Sequence, residues 1–293
     1  MEWRAADAAQ WITVPREEDD KYSRGVLGVA TGSARYPGAA VIGVDAALHA
    51  GIGMVRYLGP EAVGRLVLER RPEAVLEPAG APGRAHAWVL GSGTEAGTQE
   101  SFAPSEAMAC ILDAGAIGAA RAGSAPTIVT PHAGELARLL ATTRAQVEAD
   151  PVGSARRASA QLDAVVLLKG STTRVVLGER VVAVRAATPW LATAGAGDAL
   201  AGVLGALVAS YAARSRSASR SDRPSGSNGS ANATGAPLDL DALVSLGATA
   251  ALVHATAARI AARTEPDGSG GGPFTILDLN AALPEAIRRI LRV

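Results

Sequence analysis

The chain has 293 residues with 28 basic and 28 acidic side chains, so no net charge favours nucleic acid or an anionic membrane surface. Hydrophobic residues make up 48% and aromatic ones only 3%, so the core must be built from Ala, Val, Leu and Ile; the length allows one large α/β domain or two small ones, and nothing between the halves marks a boundary. The single cysteine, Cys110 in an apolar run, excludes an intrachain disulfide framework and a cysteine-based zinc site. Met1 to Asp7 carries acids and no apolar core, unlike a secretory signal. The run Ala199 to Ala213 is shorter than the roughly twenty apolar residues a membrane span needs. These features predict a cytoplasmic protein.

Apolar runs of strand length recur between helical patterns. Val26–Ala30 and Met54–Leu58 flank a helical stretch from Pro37 to Ala50. Further strands are expected at Ala87–Leu90, Cys110–Asp113, Thr127–Thr130 and Ala164–Leu168. Their unbroken apolar character suits strands covered on both faces, as in a parallel sheet with helices on either side. Thr173–Leu177 and Arg180–Val184 around Gly178-Glu179 read as an antiparallel hairpin at its edge. Arg214 to Pro237 has almost no apolar residues and reads as a disordered insertion in a single domain spanning 1–293. It is followed by a helix at Leu238–Arg263, a flexible connection at Asp267–Gly272 and a last helix at Leu277–Leu291.

Small and polar residues follow the strands, and ligands of such sheets gather at the carboxyl ends. The first strand is followed by Thr31 to Ala40, opening a helix, and the third by Gly91-Ser92-Gly93. Thr130-Pro131-His132-Ala133-Gly134-Glu135 opens another helix, where His132 has a plain alternative as an N-cap with Glu135 closing a capping box. Lys169-Gly170-Ser171-Thr172-Thr173 follows a fully apolar strand; its cation and hydroxyls suit a polyphosphate, although a surface lysine is the plainer reading. A P-loop is absent.

The most informative stretch is Ala192-Thr193-Ala194-Gly195-Ala196-Gly197-Asp198, followed at once by an apolar helical run. A helix N-terminus reached through small residues binds anions on its free N–H groups. An aspartate beside such a hole is suited to take a proton from a substrate hydroxyl.

With these pieces in order, the chain resembles the ribokinase-like superfamily, and within it the ADP-dependent NAD(P)H-hydrate dehydratases. The resemblance rests on Tyr36–Ala40, Gly91–Gly93, Leu112-Asp113-Ala114, Thr130–Glu135, Leu168–Thr173 and Ala192–Asp198, and covers roughly Lys21 to Arg263. It implies a three-layer α/β/α fold with a mostly parallel central sheet. It also implies dehydration of the S-epimer of hydrated NADH or NADPH, with ADP or ATP as co-substrate and Mg²⁺ as cofactor. Carried over, Asp198 is the base that acts on the substrate hydroxyl, and the N–H groups of Gly195, Ala196 and Gly197 form the anion hole. Lys169, Gly170, Ser171, Thr172, Thr173 and Gly197 hold the adenine nucleotide. Ala39, Ala40, Gly93 and His132 line the substrate site, and Glu135 holds Mg²⁺ through water. No epimerase domain fits before Lys21, so a separate epimerase is expected in the same pathway, with the chain acting as a homo-oligomer. The alternatives are a kinase of the same superfamily acting on a vitamin-precursor or sugar-like alcohol, and a nucleotide-binding regulator without chemistry. The chain departs from the family at Ala194 and Ala196, at Gly115, and across Ala187-Thr188-Pro189-Trp190.

Overall fold

The computed structural model describes residues 1–78, 83–94, 108–120, 125–185, 188–221, 238–265 and 269–293. A short helix α1 (Ala5–Ala9) precedes β1 (Val26–Ala30), α2 (Gly38–His49), β2 (Met54–Tyr57), α3 (Glu61–Arg70) and β3 (Val75–Leu76). Then come β4 (Ala87–Leu90), β5 (Ala109–Leu112), a 3₁₀ turn (Ala114–Ala119), β6 (Thr127–Val129), α4 (Ala133–Leu139), α5 (Arg144–Ala149) and α6 (Pro151–Leu162). The chain continues through β7 (Val165–Leu168), β8 (Thr172–Leu177), β9 (Arg180–Arg185), a 3₁₀ turn (Pro189–Leu191), α7 (Ala196–Ser221), α8 (Leu240–Ala262) and α9 (Ile276–Leu291).

The strands form one nine-stranded sheet in the order β3-β2-β1-β4-β5-β6-β7-β8-β9. β3 to β7 pair in parallel and β8 and β9 antiparallel, as the hairpin at Gly178-Glu179 predicts. Alternate strand residues point to opposite faces. Leu27, Val29, Ala87, Val89, Ile111 and Leu167 join the core beneath α2, α3, α7, α8 and α9. Val26, Trp88, Leu90, Leu112 and Leu168 join the core beneath α4, α5 and α6. This is the three-layer arrangement expected, and because both faces are covered the strands carry no polar alternation.

Chain order reverses across β1, which has β2 on one side and β4 on the other. At such a switch point the loops leaving the two strands diverge and open a crevice. α2 and α7 flank it, held close by glycine on both sides: a Cβ at Gly202 would lie 2.2 Å from the Gly43 carbonyl oxygen.

The structure corrects two expectations. α7 runs to Ser221, so residues 214–221 of the expected insertion are helix, and the rest, 222–237, lies outside the described residues. Helix extension is inexpensive once nucleated, and here Arg214 is fixed on Asp19 at 2.7 Å while Ser215 and Ser217 bond back to the Tyr211 and Ala213 carbonyls. Gly270 of the connection expected at Asp267–Gly272 forms an antiparallel bridge with Thr264, while Asp267 and Gly268 lie outside the described residues. α7 and α8 have the length and apolar content of membrane spans, but they are mostly buried within the fold. Gly202→Ala is expected to force α2 and α7 apart and to cost about 3 kcal/mol, or roughly 5–10 °C in melting temperature. An unchanged melting temperature would show that this helix contact does not set the crevice.

Candidate functional site

Backbone pairing continues past the formal strand ends and draws the polar residues into one row. Gly91 N–H bonds the Ala30 carbonyl, Asp113 N–H that of Leu90, Thr130 N–H that of Leu112, and Lys169 N–H that of Pro131. Gly32 N–H reaches the Ser92 carbonyl at 2.7 Å. The carboxyl-end rim therefore carries Thr31, Ser92, Asp113, Thr130 and Lys169 side by side.

Asp113 is the hub of this row. It is 3% exposed and accepts from Ser92 Oγ at 2.9 Å, Thr130 Oγ1 at 2.7 Å and Lys169 Nζ at 2.8 Å. Burial alone would raise the Asp113 carboxyl, but Lys169 and the two hydroxyls outweigh it and hold it below the usual range. Burial likewise works against the Lys169 ammonium, and Asp113 with Glu135 at 3.9 Å overcomes it, keeping the lysine charged. Lys169 is thus not a free surface cation. Its Nζ also sits against the catalytic-type turn, 3.3 Å from where a Gly197 Cβ would stand.

The turn itself is built by Gly195, whose φ of +90° is a left-handed conformation disfavoured for any residue with a Cβ. It delivers the chain into α7 so that the first-turn N–H groups have no intrahelical acceptor. Ala196 N–H is directed instead at the Thr193 carbonyl at 3.4 Å, which leaves Gly197 as the better-placed donor of the three expected. Asp198 opens α7 and lines a recess with Val29, Thr31, Ala39, Gly43 and Ser92. Burial, then the negative charge of Asp113, push its carboxyl up to about 6 against the opposing pull of Lys169. His254 is buried on α8 behind the turn, and burial drives its imidazole down to about 4, so it is neutral near pH 7.

Other expected residues fall into two groups. Ala39 lines the recess, and Gly93 packs on it so tightly that a Cβ at Gly93 would lie 2.5 Å from the Ala39 Cβ. Ala40 is fully buried beneath Gly32, so it shapes the site by packing and presents nothing to a ligand. His132 is the N-cap of α4: its Nδ1 accepts from Gly134 and Glu135 N–H, and Glu135 closes the capping box by accepting from His132 N–H at 2.8 Å. The plain alternative therefore holds for the cap, yet the ring is 56% exposed beside the Lys169 cluster and stays open to a ligand. Gly170 and Ser171 make the exposed turn after Lys169, and Thr172 and Thr173 begin β8. Thr188 caps the 3₁₀ turn Pro189–Leu191 that leads to Gly195, with the Trp190 side chain exposed, while Ala187 lies outside the described residues.

Sequence reasoning gave no role to Thr31, Ser92, Asp113, Thr130 or His254. A signal was present for the first four, since each stands within two residues of an apolar strand's end. His254 is a lone polar group in an Ala-rich helix and gives no such signal.

The mostly parallel sheet with its covering helices has the fold of a ribokinase-like superfamily protein from Enterococcus faecalis, with a TM-score of 0.75 at 18% identity over 100% of this chain and 96% of that one. The profile of the NAD(P)H-hydrate dehydratase family matches residues 27–264, and the chain belongs to that family. It is 35% identical over 298 aligned residues to the bifunctional NAD(P)H-hydrate repair enzyme of Corynebacterium glutamicum, covering 94% of this chain and 49% of that protein. The chain thus spans about half the length of the bifunctional relatives it matches. It is 32% identical to the ADP-dependent (S)-NAD(P)H-hydrate dehydratase of Xanthomonas campestris, over 69% of this chain and 76% of the other. The crystal structure of the ADP/ATP-dependent NAD(P)H-hydrate dehydratase of Bacillus subtilis, co-crystallised with ATP and Mg²⁺, superposes with a TM-score of 0.77. That match has 21% identity and covers 98% of both chains, so it shows the shared fold.

A carboxyl raised by burial holds its proton more tightly folded than unfolded. Its ionisation therefore costs stability as pH rises from the unfolded value near 4 through about 6. Asp198→Asn removes that cost, so the variant is expected to exceed wild type by about 3 kcal/mol at pH 8 and to match it near pH 4. Equal melting curves at both pH values would contradict the raised carboxyl.

Proposed function

We propose that the chain catalyses the ADP- or ATP-dependent dehydration of the S-epimer of hydrated NADH or NADPH, restoring the reduced nicotinamide. The observation that carries this reading is Asp198, a carboxyl poised near 6 at the amino end of α7 and lining the crevice recess of a dehydratase-family chain. In the ionised form it takes the proton of the substrate hydroxyl as the oxygen attacks the terminal phosphoryl group of the nucleotide. The P–O bond to the nucleotide breaks and a phosphate ester forms. Loss of phosphate, with the proton from the neighbouring carbon, then gives the ring double bond.

The first-turn N–H groups at Gly195 to Gly197, with Gly197 foremost, stabilise the charge that develops in transfer. Lys169 to Thr173 take the nucleotide; the hold of Asp113 on Lys169 fixes the ammonium as a positioned cation rather than a mobile one. Ala39, Gly93 and His132 face the hydrated nicotinamide, with Ala40 packing behind them. Mg²⁺ is proposed as cofactor. Among the described residues no three His, Cys, Asp or Glu side chains form a metal cage, which fits an ion that takes most of its oxygens from phosphate and water. Glu135, beside Lys169, is the carboxylate suited to hold one of those waters; the metal would neutralise phosphate charge. The kinase alternative is not favoured, because the family and the relatives above are named for dehydration. The same reading includes action in the cytoplasm as a homo-oligomer, with an epimerase activity supplying the S-epimer.

Incubation with hydrated NADH, Mg²⁺ and ADP or ATP is expected to restore NADH absorbance, with kcat/KM rising through an acid limb near pH 6 as Asp198 ionises. Asp198→Asn is expected to lower turnover by at least about 10²-fold while still binding ADP. A phosphorylated product that accumulates without NADH would establish a kinase instead, and variant activity within tenfold of wild type would remove Asp198 as the base.

A further inference from the structure

The recess at the switch point contains a polar group that no described residue uses. Thr31 is 3% exposed, and its Oγ1 is buried with no hydrogen-bond partner among the described residues. A buried hydroxyl left unpaired costs free energy, so native structures pair nearly all of them. The backbone around this one is firmly held. The Thr31 carbonyl accepts from the Tyr57 hydroxyl at 3.0 Å, and the next N–H, of Gly32, bonds the Ser92 carbonyl at 2.7 Å. Thr31 lines the same recess as Asp198. Ser92, the other hydroxyl residue named there, is already spent on Asp113 at 2.9 Å.

We propose that the Thr31 hydroxyl is a substrate-binding group that donates to the alcohol oxygen whose proton Asp198 removes. This rests on the dehydratase reading and deepens it. An alcohol oxygen has two lone pairs. Thr31 occupies one, the other attacks phosphorus, and the O–H proton goes to the Asp198 carboxylate. The two side chains thereby aim the oxygen: one by accepting its proton, the other by fixing the rotation of the C–O bond. Of the other residues lining the recess, Val29, Ala39, Gly43, Val89 and Gly202 have no side-chain donor, and Ser92 already donates to Asp113.

The test compares Thr31→Val, close in shape and lacking the hydroxyl, with Thr31→Ser, which keeps it. Thr31→Ala repeats the comparison without β-branching should the valine variant fold poorly. Thr31→Val is expected to lower kcat/KM for hydrated NADH about tenfold, to leave ADP affinity by calorimetry unchanged, and to melt no lower than wild type without ligand. Thr31→Ser is expected to stay within about threefold of wild type. Wild-type kcat/KM in Thr31→Val and Thr31→Ala overturns the proposal while leaving the dehydratase reading intact. A lower melting temperature with equal losses for ADP and hydrate marks a structural residue and also overturns it. Wild-type protein that neither binds nor converts hydrated NADH fails the dehydratase reading itself, and this proposal with it.

Discussion

Asp113 is a buried carboxylate at the end of the central strand β5, and its charge organises the whole rim. Three loops that leave different strands converge on it, through Ser92, Thr130 and Lys169. Without Lys169 the carboxylate would be an uncompensated buried charge, a defect that costs about 3–5 kcal/mol when one partner of such a pair is removed. Without Asp113 the ammonium would keep only the longer contact to Glu135, at 3.9 Å, and the pull of Asp198. The pair therefore acts as a brace across the sheet, and its field reaches Asp198, where Asp113 raises the carboxyl and Lys169 lowers it.

The geometry around this brace follows from backbone packing more than from side-chain chemistry. The reversal of strand order at β1 opens a crevice at one place on the rim. Small residues then let α2 and α7 close on it, and Gly195 turns the chain so that the free end of α7 faces in. An anion-binding helix end, a poised carboxyl and a fixed ammonium thus share one corner. Stability is spent there: a carboxyl near 6 and a threonine hydroxyl with no partner among the described residues both destabilise the ligand-free protein.

The strands were legible to within about a residue, because a strand covered on both faces must be apolar throughout and polar residues must begin where cover ends. The Gly195–Asp198 turn was legible for a related reason: glycine, small residue and acid before an apolar helix have few other uses together. β3 was not legible, since its two residues, Val75 and Leu76, are an edge strand with no pattern. The extent of α7 was hidden because Arg and Ser carry no apolar signal, and the ion pair that fixes Arg214 joins residues 195 apart in sequence. The role of Asp113 was hidden likewise. Its contact with Lys169 spans 56 residues and exists only because β6 lies between β5 and β7. Sequence showed the ends of the strands; only the order of the strands shows which of those ends meet.

The central claim is electrostatic: burial and Asp113 together hold Asp198 protonated in a pH range where an ordinary carboxyl is ionised. Carbon-13 NMR titration of aspartate carboxyls in the ligand-free protein, with Asp198 assigned by its loss in Asp198→Asn, tests it without any assay of turnover. The account predicts a midpoint near 6 and a lower one in Asp113→Asn, where Lys169 acts on Asp198 unopposed. A wild-type midpoint near the ordinary value of about 4, or one that Asp113→Asn leaves in place, would contradict it.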